Sequence, residues 1–241
     1  LKLFMVESNG TFNQATASTN NGVRFVRKAE LNKGANWNVD QIVDLFGERM
    51  KDTDLSITRA ILTVQSGAQV VVNEASGVNA RIRLWGNSEL NLYQANAFKD
   101  QNGKGIRIAT ALDVNSDLGS VMNVYAKQTF EDIYITSGSA LDINMQNDLA
   151  KLIFEGEGRT VSIGKDGELR IYNFRENSIY VGTNSETISE LAKARFYDSK
   201  KNLLDVRVNE SGWLTAVPEP AEWAAIFGAI ALGLALYRRC K

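Results

Sequence analysis

Short runs of the form apolar–any–apolar recur along most of the chain, and they constrain its fold more than any other feature. Each run has the two-residue period of a β-strand with one buried face. The central residue is polar in most runs, as expected of a position that faces solvent. The ten runs are Leu62-Thr63-Val64, Val70-Val71-Val72, Ile82-Arg83-Leu84, Leu90-Asn91-Leu92, Ile106-Arg107-Ile108, Met122-Asn123-Val124, Ile133-Tyr134-Ile135, Leu141-Asp142-Ile143, Val161-Ser162-Ile163 and Leu169-Arg170-Ile171.

The spacing of these runs favours stacked coils. Positions 62 and 82, 70 and 90, and 141 and 161 are 20 residues apart, and 133 and 152 are 19 apart. One run buries little apolar surface alone, whereas similar runs one coil apart share a continuous core. We therefore predict a mostly β fold, a parallel β-solenoid (β-helix) with coils of roughly 20 residues. A β-sandwich also has short strands between turns, and it stays open as an alternative.

Two longer echoes support internal repetition. Residues 148–154 resemble residues 190–196 at an offset of 42, and residues 161–169 resemble residues 206–214 at an offset of 45. Both prolines of the chain lie in its C-terminal tail, so no proline interrupts a predicted strand.

The N-terminal part of the chain has a different pattern. Asn38 and Gln41 have the spacing of a helix-capping box, and they predict a helix near residues 38–50 that caps the open end of the solenoid. The apolar face of this helix would be Val39, Ile42, Val43, Phe46 and Met50. The predicted organisation is a mixed or capping region over 1–60, solenoid repeats over 61–216 and a tail over 217–241.

Composition excludes several classes of function. The chain has no histidine, and Cys240 is its single cysteine, so catalytic triads with histidine and cysteine zinc sites are excluded. Lys plus Arg number 27 against 28 for Asp plus Glu, which argues against a nucleic-acid partner. We predict no cofactor, no metal site and no enzymatic activity. Leu1 is not followed by a signal-peptide pattern, so we expect a fragment or a processed form.

The C-terminal tail is the most specific part of the sequence. After Pro218, Glu219 and Pro220 comes an uncharged stretch from Trp223 to Tyr237 that predicts a transmembrane helix over 223–237. Its apolar residues lie on every face, and as a helix it would be about 22 Å long at ~1.5 Å per residue. Trp223 and Tyr237 are the expected interfacial anchors. The basic stop cluster, Arg238, Arg239 and Lys241, predicts a cytoplasmic C-terminus.

This order of a Pro-Glu-Pro motif, an apolar helix and a basic end resembles the PEP-CTERM sorting signal. The strand repeats upstream resemble PEP-CTERM proteins with an autotransporter-like β-helix ectodomain. The resemblance implies recognition in the inner membrane by an exosortase-type processing enzyme, cleavage near Pro218-Glu219-Pro220 and transfer of the ectodomain to the cell surface or outside the cell. The implied partners are this enzyme and the lipid bilayer, with an exopolysaccharide as a further expected partner.

Two functions follow as hypotheses. The first is a structural or adhesive protein of the bacterial cell envelope or extracellular matrix. The second is a surface β-helix polysaccharide lyase or hydrolase, which needs clustered carboxylates. The predicted register places Ser162 beside Asp142, and therefore gathers no acidic pair from Asp142, Asp166 and Glu168. Two outward acids and a basic residue in a groove would favour the enzyme, and a flat polar face the structural role.

Two weaker patterns concern ligands. Five aromatic residues are candidates for a sugar-stacking platform, although core or edge packing explains them equally well. They are Trp37, Trp85, Tyr93, Tyr134 and Tyr172. Asp113, Asn115, Asp117 and Gly119 resemble a calcium loop, but the glycine is one position late and position twelve is Val124. A solvated polar turn is the expected role of this segment.

Overall fold

A computed structural model describes residues 3–6, 11–14, 23–25, 28–40, 42–45, 60–74, 80–86, 88–112 and 119–217. Most of these residues form short β-strands. The first twelve strands are β1 (Leu3–Val6), β2 (Thr11–Gln14), β3 (Val23–Phe25), β4 (Lys28–Leu31), β5 (Asn36–Asp40), β6 (Ile42–Leu45), β7 (Ala60–Val64), β8 (Gln69–Asn73), β9 (Arg81–Trp85), β10 (Ser88–Leu92), β11 (Phe98–Lys99) and β12 (Arg107–Ala111). The remaining elements are β13 (Ser120–Val124), β14 (Gln128–Phe130), β15 (Ile133–Ile135), β16 (Ala140–Met145), β17 (Leu152–Phe154), β18 (Val161–Ile163), β19 (Glu168–Tyr172), β20 (Ile179–Tyr180), helix α1 (Ser185–Leu191), β21 (Arg195–Tyr197), β22 (Leu203–Leu204), β23 (Val206–Val208) and β24 (Leu214–Ala216).

Three consecutive strands form one coil, and strands of successive coils pair in parallel. Sheet 1 has the order β1-β4-β7-β10-β13-β16-β19-β21-β22, and sheet 3 has the order β18-β15-β12-β9-β6-β3. The second strand of each coil lies between these two sheets in chain order, on what we call the second face. This face consists of two parallel sheets, β11-β8-β5-β2 and β14-β17-β20. This order is that of a parallel β-solenoid and differs from the antiparallel pairing of a β-sandwich. The predicted mostly β fold with parallel sheets is confirmed.

The core consists of apolar residues stacked in register between coils. In sheet 1, Leu62 pairs with Leu90, and Leu90 with Met122, and all three side chains are fully buried. On sheet 3 the corresponding row contains Ile82 and Ile108. Full burial of one such side chain contributes about 1.5–3 kcal/mol, so each added coil extends a core that no single coil could form.

The predicted coil length of roughly 20 residues is wrong. The register of sheet 1 advances by 33 residues from Lys28 to Ile61, by 28 from Leu62 to Leu90, and by 21 from Val121 to Asp142. Positions 62 and 82 lie in β7 and β9, which are the first and third strands of one coil. The 20-residue step therefore measures the separation in sequence between two faces. The length of a whole coil varies because the corners between strands differ widely in length.

The longer echoes do not mark equivalent positions either. Residues 152–154 form β17 on the second face, whereas residues 195–197 form β21 in sheet 1. Leu149 is exposed in a turn, and its counterpart Leu191 is buried at the end of α1. Similar residue patterns thus arise in different places of the coil.

The predicted helix near 38–50 is also wrong over the residues that the structure describes. Residues 36–40 and 42–45 are strands β5 and β6, which pair in parallel with β8 and β9 of the next coil. Trp37 and Val39 face the core in β5, and Val43 and Leu45 face it in β6. The strands β1 to β6 thus occupy the first positions of the same sheets as the later coils.

The side chain of Gln128 joins the two sheets of the second face. Its Oε1 accepts a hydrogen bond from the Ala97 amide at 3.0 Å, and its Nε2 donates to the Gln94 carbonyl at 2.6 Å. The Asn96 amide also donates to the Lys127 carbonyl at 2.8 Å. Gln128 is fully buried, so these bonds satisfy backbone groups that the strand ladder does not reach.

A different element ends the parallel ladder on each face. Helix α1 packs against β18, the last strand of sheet 3. Strand β22 pairs with β21 in the antiparallel direction, and Trp213 forms an antiparallel bridge with Tyr180 of β20. These elements cover strand edges that would otherwise remain open at this end. The described chain then continues to Val217.

Most of the predicted tail, residues 218–241, lies outside the described residues, and so does the predicted transmembrane helix 223–237. Among the residues that are described, no helix has the length and apolar character needed to cross a bilayer.

Candidate functional site

A groove runs along the corner where the second face turns into sheet 3. In the fifth coil, which consists of β13, β14 and β15, this corner has two residues, Glu131 and Asp132, between β14 and β15. The corresponding connections of the fourth and sixth coils are longer, residues 100–106 and 155–160. The short corner therefore forms the floor of a cavity of about 850 Å³ between two longer loops. The name corner groove is used for this cavity together with the adjoining cavity described later in this subsection.

Two glycines allow the longer loops to approach the floor. A Cβ on Gly105 would lie 2.7 Å from the backbone of Phe130, and a Cβ on Gly156 would lie 2.5 Å from the Glu131 carbonyl oxygen. The Gly156 amide donates to that same carbonyl at 2.7 Å. Any larger residue at either position would have to push the loop away from the floor.

The floor carries a carboxyl group whose ionised form is disfavoured. Burial raises the pKa of Glu131, and the charges of Asp132, Glu74 and Asp100 raise it further, while Arg107 lowers it. Arg107 is engaged by another group, since its Nε and Nη2 donate to the two carboxylate oxygens of Asp132 at 2.7 and 2.6 Å. A half-buried carboxyl in a cleft with a raised pKa is a candidate for binding or proton transfer.

Further charged residues line the groove. The Asp100 carboxylate accepts hydrogen bonds from the Asn102 and Lys104 amides at 2.8 and 2.7 Å, so it serves to fold its own loop. The charged side chains of the cavity are Glu74, Lys99, Asp100, Lys104, Glu131, Glu155 and Glu157. Acidic groups outnumber basic ones, which disfavours an anionic ligand.

The groove continues into a second cavity of about 460 Å³ at the C-terminal end of the solenoid. Glu155 and Gly156 line both cavities, so the two are adjacent. Three aromatic residues line the second cavity, Phe154, Tyr180 and Trp213, and the ring centroids of Tyr180 and Trp213 are 5.3 Å apart in an edge-to-face arrangement. We call this end of the groove the aromatic pocket.

The outer face of sheet 1 has a different character. A row of amides crosses it: Asn91 donates to Thr63 at 3.3 Å, Asn123 to Asn91 at 2.8 Å, and Asn144 to Asn123 at 2.8 Å. Gln146 also donates to Asn123, at 2.9 Å. This row, which we call the amide ladder, satisfies its polar groups internally and links consecutive coils.

The predicted aromatic platform is not one surface. Trp37 is fully buried in the core. Trp85 and Tyr134 belong to sheet 3, Tyr172 belongs to sheet 1, and Tyr93 directly follows strand β10 of sheet 1. Tyr93 stacks on Tyr125 at 4.0 Å, and Tyr172 stacks on Tyr197 at 4.9 Å. In each pair one ring covers a face of the other, so those faces are not open to a sugar.

The acidic residues considered from the sequence are also arranged differently from the prediction. Asp142 pairs in register with Arg170 of the next coil, not with Ser162. Arg170 forms ion pairs with Asp142 at 2.6 Å and with Glu168 at 3.0 Å. Asp166 lies in a turn with a positive φ of 55°. Asp142 and Glu168 thus belong to a partly exposed ion-pair network on sheet 1, and none of the three acids lines the groove.

Sequence reasoning missed Glu131 and the aromatic pocket. One signal was present: only Glu131 and Asp132 separate Phe130 from Ile133, whereas most predicted strands are separated by longer turns. This short separation indicates a groove only when the neighbouring coils are known to have longer corners. In the sequence, Trp213 stands out only as a member of the segment 206–214 that resembles residues 161–169.

Other predicted residues lie outside the described part of the chain. They are the sorting motif Pro218, Glu219 and Pro220, the anchors Trp223 and Tyr237, the basic cluster Arg238, Arg239 and Lys241, and the residues Asp113, Asn115 and Asp117 of the calcium-like segment. Within the described ranges, no group of three or more Asp, Glu, His or Cys residues is arranged to hold a metal ion.

Comparison of the chain with protein-family models, with curated proteins and with solved structures finds no match.

Proposed function

We propose that this chain is an exported protein of the bacterial cell envelope that displays its solenoid as a structural or adhesive element. Delivery and anchoring would depend on residues 217–241, read as a PEP-CTERM signal that an exosortase-type enzyme recognises in the inner membrane. The solenoid would then reach the cell surface or the extracellular matrix. The observation that carries the proposal is the order of Pro218-Glu219-Pro220, the apolar stretch 223–237 and the basic end in one short tail.

The described part of the chain supports a structural role in one respect. The amide ladder presents a polar face whose amides bond to one another across coils, so it stabilises the stack without needing a ligand. A stack of this kind, closed at its C-terminal end by α1, β22 and the bridge at Trp213, provides a stiff display element next to the tail.

The test is expression from the natural gene in the source cell, followed by cell fractionation and mass measurement of the mature C-terminus. We expect the mature protein outside the inner membrane and lacking the residues beyond the Pro218-Glu219-Pro220 region. Replacing both Pro218 and Pro220 with Ala should leave an unprocessed chain in the inner membrane. The matched control is Glu222→Gln, which changes the charge beside the motif but leaves the motif intact.

Each other outcome has a defined meaning. An intact tail retained in the inner membrane of the unmodified protein would replace sorting by simple anchoring. A chain recovered intact from the cytoplasm would overturn the proposal of an envelope protein.

A polysaccharide lyase or hydrolase is the second candidate function. It is favoured by the corner groove, which contains outward acids, among them Glu131 and Glu155, together with Lys104. Glu131 is the residue to test, because its raised pKa suits a group that donates or accepts a proton. The matched change within the same groove is Glu157→Gln.

The assay incubates the purified chain with neutral, amino and acidic polysaccharides and measures new reducing ends and ultraviolet absorption of unsaturated products. If the chain is an enzyme, the unmodified protein and the Glu157→Gln variant should both release products, and the Glu131→Gln variant should release none. Absence of products from every polymer, at protein concentrations where the fold is intact, would remove the enzymatic candidate.

A further inference from the structure

We propose that the aromatic pocket binds one unit of a non-acidic saccharide chain, and that the rest of the chain follows the corner groove. The pocket is concave, and its volume of about 460 Å³ lies in the range of small-ligand sites, about 300–1,000 Å³. It differs from the stacked tyrosine pairs Tyr93–Tyr125 and Tyr172–Tyr197 because its tryptophan and tyrosine rings meet edge to face instead of face to face.

The turn that carries Trp213 is held in place by its surroundings. The Trp213 amide donates to Asn209 Oδ1 at 3.0 Å, and the Lys151 ammonium lies 5.9 Å from the indole ring centroid. Gly212 brings the turn against β20, since a Cβ there would lie 2.8 Å from both Gly182 Cα and a ring carbon of Tyr180. A turn fixed in this way loses little conformational freedom when a ligand binds.

Several polar groups of the pocket have no bond to satisfy them. Among the described residues, the indole N–H of Trp213, the hydroxyl of Thr183 and the carboxylate of Glu155 have no hydrogen-bond partner. The Oδ1 of Asn184 accepts from the Glu186 and Thr187 amides at 2.9 and 3.1 Å, so this side chain has its amide NH₂ left to donate.

This combination suits a sugar. A pyranose ring presents C–H groups on its faces and hydroxyls round its edge, and an aromatic ring next to separate donors and acceptors matches both parts. The adjoining groove selects among sugars by charge. Its acidic groups, including Glu74, Glu131 and Glu157, outnumber its lysines even when Lys151 beside the indole is added, so a polyuronate is repelled and an amino sugar is attracted.

This inference rests on the proposed function in that only a displayed protein would meet such a polymer. Its test is nevertheless independent of export, because binding is measured on the purified chain. A protein that is sorted but binds no saccharide would overturn the inference alone. A protein that binds saccharide but stays in the cytoplasm would overturn the proposed function alone.

The experiment is calorimetric titration of the full chain, in a zwitterionic detergent without sugar groups, with tetramers of glucosamine, glucose (β1,4-linked) and galacturonate. We expect binding in the order glucosamine, glucose, galacturonate, with dissociation constants in about the millimolar range or tighter for the first two. Trp213→Phe keeps an aromatic ring beside Tyr180 but removes the indole N–H, and should weaken binding about tenfold. Thr183→Ala, at an exposed position, should weaken it less without affecting the fold.

The control is Trp85→Phe, the same substitution on sheet 3, which should leave binding unchanged. Thermal unfolding of each variant identifies loss of folding as a cause of weaker binding. The inference is overturned if none of the tetramers binds, if galacturonate binds most tightly, or if folded Trp213→Phe and Thr183→Ala both bind as the unmodified chain does.

Discussion

The amide ladder of sheet 1 and the corner groove use polar side chains in opposite ways. In the ladder, the Oδ1 of Asn123 accepts two hydrogen bonds while its Nδ2 donates to Asn91, so the groups bond to one another. In the groove, no hydrogen-bond partner of the carboxyls of Glu131, Glu155 and Glu157 occurs among the described residues. One surface holds the coils together, and the other keeps polar groups available.

The difference follows from where each surface lies on the coil. Strand positions repeat in strict register from coil to coil, so a polar side chain there meets its equivalent about one strand spacing away. Corners differ in length, so a residue such as Glu131 faces loops rather than an equivalent side chain. Free polar groups, and with them the candidate site, therefore collect at corners.

The largest expected effect is at the centre of the ladder. Asn123→Ala removes two donated hydrogen bonds, to Asn91 and Glu89, and two accepted ones at a half-buried position, and we expect a loss of about 1–2 kcal/mol in the free energy of unfolding. Urea unfolding followed by circular dichroism measures it. Ser162→Ala, an outward strand position on sheet 3, should cost no more than about 0.5 kcal/mol. Equal effects of the two changes would mean that the ladder is not a special source of stability.

The strands could be predicted from the sequence, but the length of the coils could not. A period of two at Leu62-Thr63-Val64 or Leu141-Asp142-Ile143 arises within the strand itself, and the structure confirms both as strands with buried first and third positions. Coil length is a sum over corners, and corners such as 131–132 and 100–106 have no common length.

The false helix has a related cause. Trp37 and Val39 face inward in β5, and after the corner Val43 and Leu45 face inward in β6, so alternation is interrupted once. With Ile42 also buried, the interruption produces the three- and four-residue spacings of a helix. A corner between two buried strands can therefore imitate one amphipathic helical face.

The candidate site was less predictable than the fold. Asp142 and Glu168 are candidate carboxylates in the sequence, yet Arg170 forms ion pairs with both. Glu131 belongs to the groove because three coils differ in corner length at one place, and no local pattern around Glu131 records this. The tail at 217–241 is the opposite case, since its motif can be read entirely from adjacent residues.

A smaller effect should appear at Glu190, a carboxylate that accepts hydrogen bonds within the protein, as the side chains of the amide ladder do. Burial raises its pKa, but hydrogen bonds from Lys193 at 2.9 Å and from the Ile163 amide at 2.8 Å outweigh burial and lower the pKa below its usual 4.5. Its stabilisation is therefore present above about pH 4.5 and is lost as pH falls through the lowered value. Glu190→Gln should reduce stability at pH 7 and flatten its decline in acid, measured by urea unfolding from pH 7 to 3. Glu176→Gln, at an exposed turn, should change neither.

The smallest effect, and the sharpest test of the comparison, is expected at Glu131. Because burial raises its pKa, the folded state holds the proton more tightly than the unfolded chain. The stabilisation is present below the unfolded pKa and is lost as pH rises through the folded pKa, the reverse of Glu190. Glu131→Gln should therefore leave stability at pH 7 unchanged or slightly higher and reduce its pH dependence just above pH 4.5. Glu157→Gln, exposed in the same groove, should show neither change. If Glu131→Gln lowers the free energy of unfolding at pH 7 as much as Asn123→Ala does, Glu131 is paired in solution. The polar groups of the groove would then bond to one another, as in the amide ladder, and would not be available to a ligand.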